Sequence, residues 1–337
     1  MHNRHDSLII AIIAILLTLI VIWLLERRKK TKKSRKAHPT RVTSEHSETL
    51  PTFLRHDNRT IVTAPKVKAE DMVPLPENFD ARTQWSGWMT PVMDQGACGS
   101  CWSFSSSGVF GDRIKIGSSG KDMQASDTIS QYHLAACMKC SNSVNTVCKS
   151  VCSGHYMDEV LAYLRKKGAY SAGDISKHTD NGSQYICFKP TGNQEARLYK
   201  ASGSYRVNPY TIDEITSNPK KMALNEYAIM HDIYQFGPVT ATIKVFDPLK
   251  PEDVHRNLYL YEDGVYGANW GSSDPKETDG YHAIAIIGWG VESNGTKYWI
   301  IRNSWGPEWG QNGYGKILRG ENRAIIESDL WAMHYGQ

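Results

Sequence analysis

The sequence predicts an α+β protein: one membrane-spanning helix at the N-terminus, then a domain in which a long buried helix precedes β-strands placed late in the chain. Three stretches carry that expectation. Leu8 to Leu25 is an uncharged apolar run of 18 residues. "DQGACGSCWSFS" (94–105) sets a glycine-broken loop directly ahead of a helical pattern. "GYHAIAIIGWG" (280–290) and "KYWIIRNSWG" (297–306) are short apolar runs bounded by glycine, the mark of buried strands.

The apolar run comes first. As a helix, residues 8–25 reach about 27 Å, close to the thickness of a bilayer core. A cleaved secretory signal has a shorter apolar region and a small-residue cleavage site, whereas "ERRKKTKKSRK" follows here. The run therefore reads as an uncleaved single-pass anchor behind a short tail, residues 1–7, with a lipid bilayer as its partner. Two signals disagree about topology. The basic cluster from Arg27 to Lys36 favours a cytoplasmic domain. Seven cysteines, all between Cys98 and Cys187, favour the oxidising luminal or extracellular side.

Residues 26–74 form a polar basic stretch interrupted by Pro39, Pro51, Pro65 and Pro74, either a stalk or a reduced pro-segment. Composition turns aromatic and glycine-rich at Leu75, which sets the domain boundary at 75–337. Residues 1–74 hold 14 Lys/Arg against 7 Asp/Glu, a net of +7, so the remaining 25 against 28 give the domain −3. A body of that charge gives no support for nucleic-acid binding, and no nucleic-acid partner is expected.

Within the domain, Trp102, Val109, Phe110, Ile114 and Ile116 fit one broad apolar helix face. Gly96 and Gly99 break the preceding loop, so Cys101 falls in the first helical turn, where free N–H groups and the helix dipole favour a thiolate. Cys98 lies outside the helix and suits a bridge. The odd cysteine count leaves one free thiol and up to three bridges. A base comes from the two late strands, which "GVESNGT" joins as a hairpin. His282 near one strand's start and Asn303 near the other's end can then meet, the Asn oxygen accepting from one ring nitrogen. Singly, His282 reads more often as structural and Asn303 as a turn residue.

Together "QGACGSCW", "YHAIAIIGWG" and "NSWG" resemble the three active-site blocks of papain-like cysteine proteases. The separations of 181 and 202 residues from Cys101 to His282 and Asn303 suit the longer cathepsin B branch. "LPENFDAR" (75–82), "GPVTATIKVF" (237–246) and "KILRGENRAIIESD" (316–329) also look like cathepsin B. The resemblance implies a two-lobed papain-like fold, with a helical lobe carrying Cys101 and a β-barrel-like lobe carrying His282 and Asn303. It implies Cys101 as nucleophile, His282 as general acid/base, Asn303 as the group orienting the ring, and Gln95 as oxyanion-hole donor. Trp305 matches the indole shielding the His–Asn contact on the leaving-group side. Implied bridges are Cys98–Cys152, Cys137–Cys187 and Cys140–Cys148. Substrates would be peptides or proteins, the unit a monomer, with no metal and no cofactor.

Several positions depart from the family. "CSGH" (152–155) keeps Gly154 but puts His155 where a second glycine usually receives the substrate backbone, so His155 either narrows the cleft or points to solvent. Between Gly173 and Cys187 no histidine pair and too few residues remain for the loop that makes cathepsin B release dipeptides; endopeptidase activity is expected. Asp329 aligns with an acid at the floor of the second specificity pocket, where it would pair with substrate Arg, or else it is a surface acid. Two competing functions are a non-catalytic protease-like binding domain, and a zinc or redox site on "CGSC" and "CMKC".

Overall fold

The computed structural model describes residues 62–138, 151–152, 154–177, 185, 187–245, 258–268 and 280–336. They fall within one compact unit, Glu45–Gln337. The anchor expected at 8–25, Cys140, Cys148 and most of the 174–186 stretch lie outside them. Among the described residues no helix is long and apolar enough to cross a membrane.

Among the described residues, five helices stand beside the short turns Ala81–Gln84 and Ala172–Ser176: α1 (Cys101–Gly117), α2 (Gln131–Met138), α3 (Met157–Lys166), α4 (Ile212–Ser217) and α5 (Pro219–Phe236). The strands are β1 (Phe79–Asp80), β2 (Ala169–Tyr170), β3 (Leu198–Tyr199), β4 (Gly203–Arg206), β5 (Val239–Val245), β6 (Val265–Tyr266), β7 (Gly280–Val291), β8 (Lys297–Arg302), β9 (Tyr314–Leu318) and β10 (Leu330–His334). One sheet runs β4-β10-β5-β7-β8-β9-β6 with β1 beside β7, and β2 pairs with β3.

Helix α1 is the axis of the domain. It packs on α2 and α3 on one side and on β7 and β10 of the sheet on the other. The long helix is buried as expected, and on all sides: every residue from Trp102 to Lys115 is buried. Serines make this possible. Ser106 and Ser107 return their hydroxyls to the Trp102 and Ser103 carbonyls four residues back, at 2.7 and 2.6 Å. Ser103 donates to the Gln131 carbonyl of α2 and Ser105 to the Ile284 carbonyl of β7. A buried hydroxyl so bonded avoids the cost of an unmet polar group.

The predicted hairpin is present, with Trp289 opposite Trp299 in antiparallel register. The Glu292 and Gly295 amides close its turn on Thr296 and Glu292 carbonyls. The last registered pair is Ala285 with Arg302, so the chain leaving β8 carries residues 303–305 back toward the start of β7. Arg302 fixes that exit by donating to Asp112 of α1 and to the Thr90 carbonyl, both at 2.8 Å. A β-carbon on Gly108 would come within 2.9 Å of that guanidinium, which explains the glycine.

The stretch read as a stalk is not detached at its C-terminal end. Thr63 bridges to Arg206, with Ala64 and Arg206 amides donating at 2.8 Å to Arg206 and Val62 carbonyls. Lys66 pairs with Glu214, and the Val73 amide donates to the Tyr227 hydroxyl. Of the implied bridges, Cys98–Cys152 and Cys137–Cys187 are present. Cys98 of "CGSC" and Cys137 of "CMKC" are thus each taken up in a bridge.

Candidate active site

Cys101 opens α1, as the glycine-broken loop predicts, and is the free cysteine of the described residues. Its N-cap, Ser100, makes no side-chain cap bond; that hydroxyl lies 2.9 Å from the Tyr185 hydroxyl instead. The first-turn amides are thus left for the sulfur. Burial pushes the Cys101 thiol up, against the opposing pull of the Ala283, Trp102 and Cys101 backbone amides. The Ala283 amide belongs to β7, so one of the groups favouring charge on the sulfur comes from the residue next to His282. Gly99 permits the approach of the loop: a β-carbon there would sit 2.3 Å from the Cys152 carbonyl.

His282 and Asn303 meet as the hairpin requires. The His282 Nε2–H donates to Asn303 Oδ1 at 2.7 Å, which leaves Nδ1 as the ring's other polar atom. Both side chains are buried. Trp305 stacks on the imidazole at 4.5 Å between ring centroids, tilted 25°. Burial drives His282 down to about 4, with the Asn303 hydrogen bond opposing it. Asn303 Oδ1 also accepts from the Ser304 amide at 2.8 Å, a bond that fixes the carboxamide's orientation.

Gln95 lies beside this group. Its backbone amide donates to the Ser304 carbonyl at 2.9 Å, its Oε1 accepts from Ser304 Oγ, and its Nε2 donates to the Cys98 carbonyl at 2.8 Å. Neighbouring backbone completes the clamp: Asp94 bridges to Trp305, and the Gly306 amide donates to the Met93 carbonyl. The carboxamide is therefore held from its oxygen, with a second N–H on Nε2 beyond the one given to Cys98.

The remaining expected positions have defined surroundings. Gly154 is exposed, with open space where a side chain would be. His155 does not point freely to solvent: its ring meets Trp102 edge-on at 4.5 Å, and Nδ1 is 3.8 Å from Glu159 one turn along α3. Asp329 is not a surface acid either. Its carboxylate accepts from Thr242 Oγ1 at 2.6 Å and from Trp331 Nε1 at 2.7 Å. Burial pushes its carboxyl up against those bonds and the nearby Arg206 charge. Two contributors escaped sequence reasoning. Ser304 lies inside the "NSWG" block but gave no sign that it holds Gln95. Tyr259, outside every motif, covers the other face of Trp305 at 4.3 Å, nearly parallel.

A thiol at a helix N-terminus, an Asn-bonded imidazole and a clamped glutamine amide together supply a nucleophile, a base and an oxyanion donor. Residues 75–334 match the family model described as papain family cysteine protease. The chain belongs to the papain family of cysteine proteases. Cathepsin B-like CP1 of Giardia intestinalis is 34% identical over 264 residues, 77% of this chain and 74% of that protein. Cathepsin B-like cysteine proteinase 3 of Caenorhabditis elegans is 33% identical over 267 residues, 77% and 66% of the two chains. Among solved structures, proCathepsin B S9 from Trypanosoma congolense shares the fold at TM-score 0.59 and 24% identity, covering 82% of this chain and 84% of its own. Procathepsin L2 proteinase from Tenebrio molitor larval midgut gives 0.54 at 28% identity, over 78% and 69%. These likenesses make the protein a papain-like, cathepsin B-like cysteine protease acting on peptide or protein substrates.

Proposed function

We propose that the chain is a membrane-anchored cysteine endopeptidase working through a Cys101 thiolate and a His282 imidazolium. The observation that carries the mechanism is the 2.7 Å bond from His282 to Asn303 beneath Trp305, with the Ala283 amide pulling the neighbouring Cys101 thiol down. Burial opposes charge on either group alone. Moving one proton from sulfur to ring creates both charges at once and leaves the pair neutral overall, so mutual attraction offsets the desolvation each would suffer separately. Asn303 holds the ring's Nε2–H through both protonation states.

The steps follow from these positions. The Cys101 sulfur attacks the substrate carbonyl, whose oxygen takes negative charge between the Cys101 backbone amide and the Gln95 Nε2 group. His282 gives its proton to the leaving amine as the C–N bond breaks, and an acyl-enzyme remains. A water that His282 deprotonates then attacks the thioester, releasing the acid and restoring the sulfur. No cofactor or metal enters these steps. Gly154 and His155 border the path of the substrate backbone, and Asp329 lies beneath the second pocket with lone pairs beyond those already engaged.

Endopeptidase action rests on the short, single-histidine 174–186 stretch, and anchoring on residues 8–25. The similarity to procathepsins supports residues 26–74 as a pro-segment, of which residues 62–64 pair with Arg206 of β4. Labelling by a peptidyl fluoromethylketone, mapped to Cys101, tests the nucleophile; no adduct on Cys101 refutes it. Release of C-terminal dipeptides alone, with internal bonds uncut, refutes endopeptidase action.

A further inference from the structure

Left-handed backbone without glycine is concentrated in one turn between β9 and β10. Asn322, Ala324 and Ile325 have φ of +52°, +51° and +57° there. Asparagine tolerates that region, but alanine and above all β-branched isoleucine do not. Such conformations persist only where the surroundings over-determine them, and they collect where a side chain has to be aimed.

The surroundings here centre on one carboxylate. Glu327 is fully buried and accepts from the Gly320 amide at 2.6 Å, the Asn322 amide at 2.5 Å and Trp299 Nε1 of β8 at 2.9 Å. Asn322 closes the turn from the other end, its Oδ1 accepting from the Glu327 amide at 3.0 Å and the Ser328 hydroxyl at 2.9 Å. Other elements then take the carbonyls in succession. Glu327 is bonded by Asn225 of α5, Ser328 by Arg206 of β4 and by Asn208, and Asp329 by the Thr242 amide of β5. Peptide hydrolysis uses neither Glu327 nor Asn322. The bonds from Thr242 Oγ1 and Trp331 Nε1 orient the Asp329 carboxylate, while the backbone that carries it is delivered by this turn.

We propose that Glu327 is a positioning residue for substrate selection: its carboxylate holds the left-handed 322–325 turn and so aims Asp329, two residues on, at the second substrate side chain. The inference rests on the placing of Asp329 beneath the second specificity pocket. Its chemistry singles out one substitution. All three partners of the Glu327 side chain are N–H donors, so Glu327→Gln keeps the shape but sets an amide N–H against another N–H whichever way it is turned. The turn then relaxes out of the left-handed region, and Asp329 loses its aim. Glycine adopts positive φ freely, so Ala324→Gly lets the turn keep its course without the carboxylate.

The test uses active enzyme prepared from the full chain in detergent, with fluorogenic peptides that differ only in Arg or Phe at the second position. The readout is the Arg-to-Phe ratio of kcat/KM at one pH, with circular dichroism to establish folding. Asp329→Ala is expected to lower the ratio. Glu327→Gln should lower it by about tenfold, the factor that loss of one charge-assisted hydrogen bond produces. Adding Ala324→Gly to Glu327→Gln should return the ratio toward wild type, which a merely structural role of the carboxylate would not do. Asn322→Gly keeps the backbone freedom, removes the second half of the lock, and should lower the ratio as well. A folded Glu327→Gln with the wild-type ratio overturns the proposal while Asp329→Ala still upholds the pocket. An unchanged ratio in Asp329→Ala overturns the pocket and this proposal with it. Should Glu327→Gln fail to fold, Asn322→Gly decides, and a wild-type ratio there overturns the proposal. A fall that Ala324→Gly leaves unrelieved does so too, since backbone strain would not be what the carboxylate restrains.

Discussion

Replacing Asn303 by alanine removes the acceptor that holds His282 while leaving Trp305 stacked on the ring. The lost bond is short, buried and made to a ring that carries charge during the reaction. A hydrogen bond to a charged group contributes about 1.5–3 kcal/mol. At about 1.36 kcal/mol per factor of ten, kcat/KM should fall by roughly 10- to 150-fold. Asn303 lies behind Trp305, away from substrate, so the loss should appear in kcat with KM nearly unchanged. The pH profile adds a second signature. The Asn303 bond opposes the burial that drives His282 down. Without it the imidazolium gives up its proton more easily, and the alkaline limb of activity moves to lower pH. Steady-state kinetics on a fluorogenic peptide across pH 4–9, with circular dichroism to establish folding, checks both. A folded variant within threefold of wild type and with an unmoved alkaline limb would refute the assigned role.

Asp329→Ala should abolish any preference for Arg over Phe at the second substrate position while leaving Phe peptides well cleaved; an unchanged ratio removes Asp329 from the pocket. Gly99→Ala drives a β-carbon against the Cys152 carbonyl and should lower stability by about 1–3 kcal/mol, read by chemical denaturation; a neutral effect would show that the loop has room. Glu327 is buried and pushed up to about 7 despite bonds from the Gly320 amide, Trp299 Nε1 and the Asn322 amide. Between the ordinary value of 4.5 and about 7 the folded protein keeps a proton that the unfolded chain gives up, so stability falls as pH rises through that window, by roughly 3 kcal/mol. Glu327→Gln should flatten that slope; parallel curves for variant and wild type would contradict it.

What the chain revealed in advance was what local pattern encodes. The start of α1 at Cys101 followed from Gly96 and Gly99, and the β7–β8 hairpin from its apolar runs and "SNG" turn. The Cys98–Cys152 and Cys137–Cys187 pairs came only through family resemblance, because spacing alone does not choose among connectivities. Contacts between distant segments stayed hidden. Ser304 and Gln95 are 209 residues apart, and nothing in either stretch signals their bond. The partners of the buried Ser103 and Ser105 hydroxyls were also illegible, since the Gln131 and Ile284 carbonyls lie in α2 and β7, far along the chain. His155 was ambiguous for the same reason: whether it meets solvent or Trp102 depends on how α3 packs on α1.

The rate of Cys101 alkylation by iodoacetamide, a neutral reagent, measured against pH in wild type and His282→Ala, tests the paired charges directly. With the proton shared between sulfur and ring, wild type should react at a rate that holds from neutral pH down to about pH 4, whereas His282→Ala should follow an ordinary thiol titrating near about 8.5 or above. Coincident curves for the two proteins, each rising only in alkali, would contradict the account.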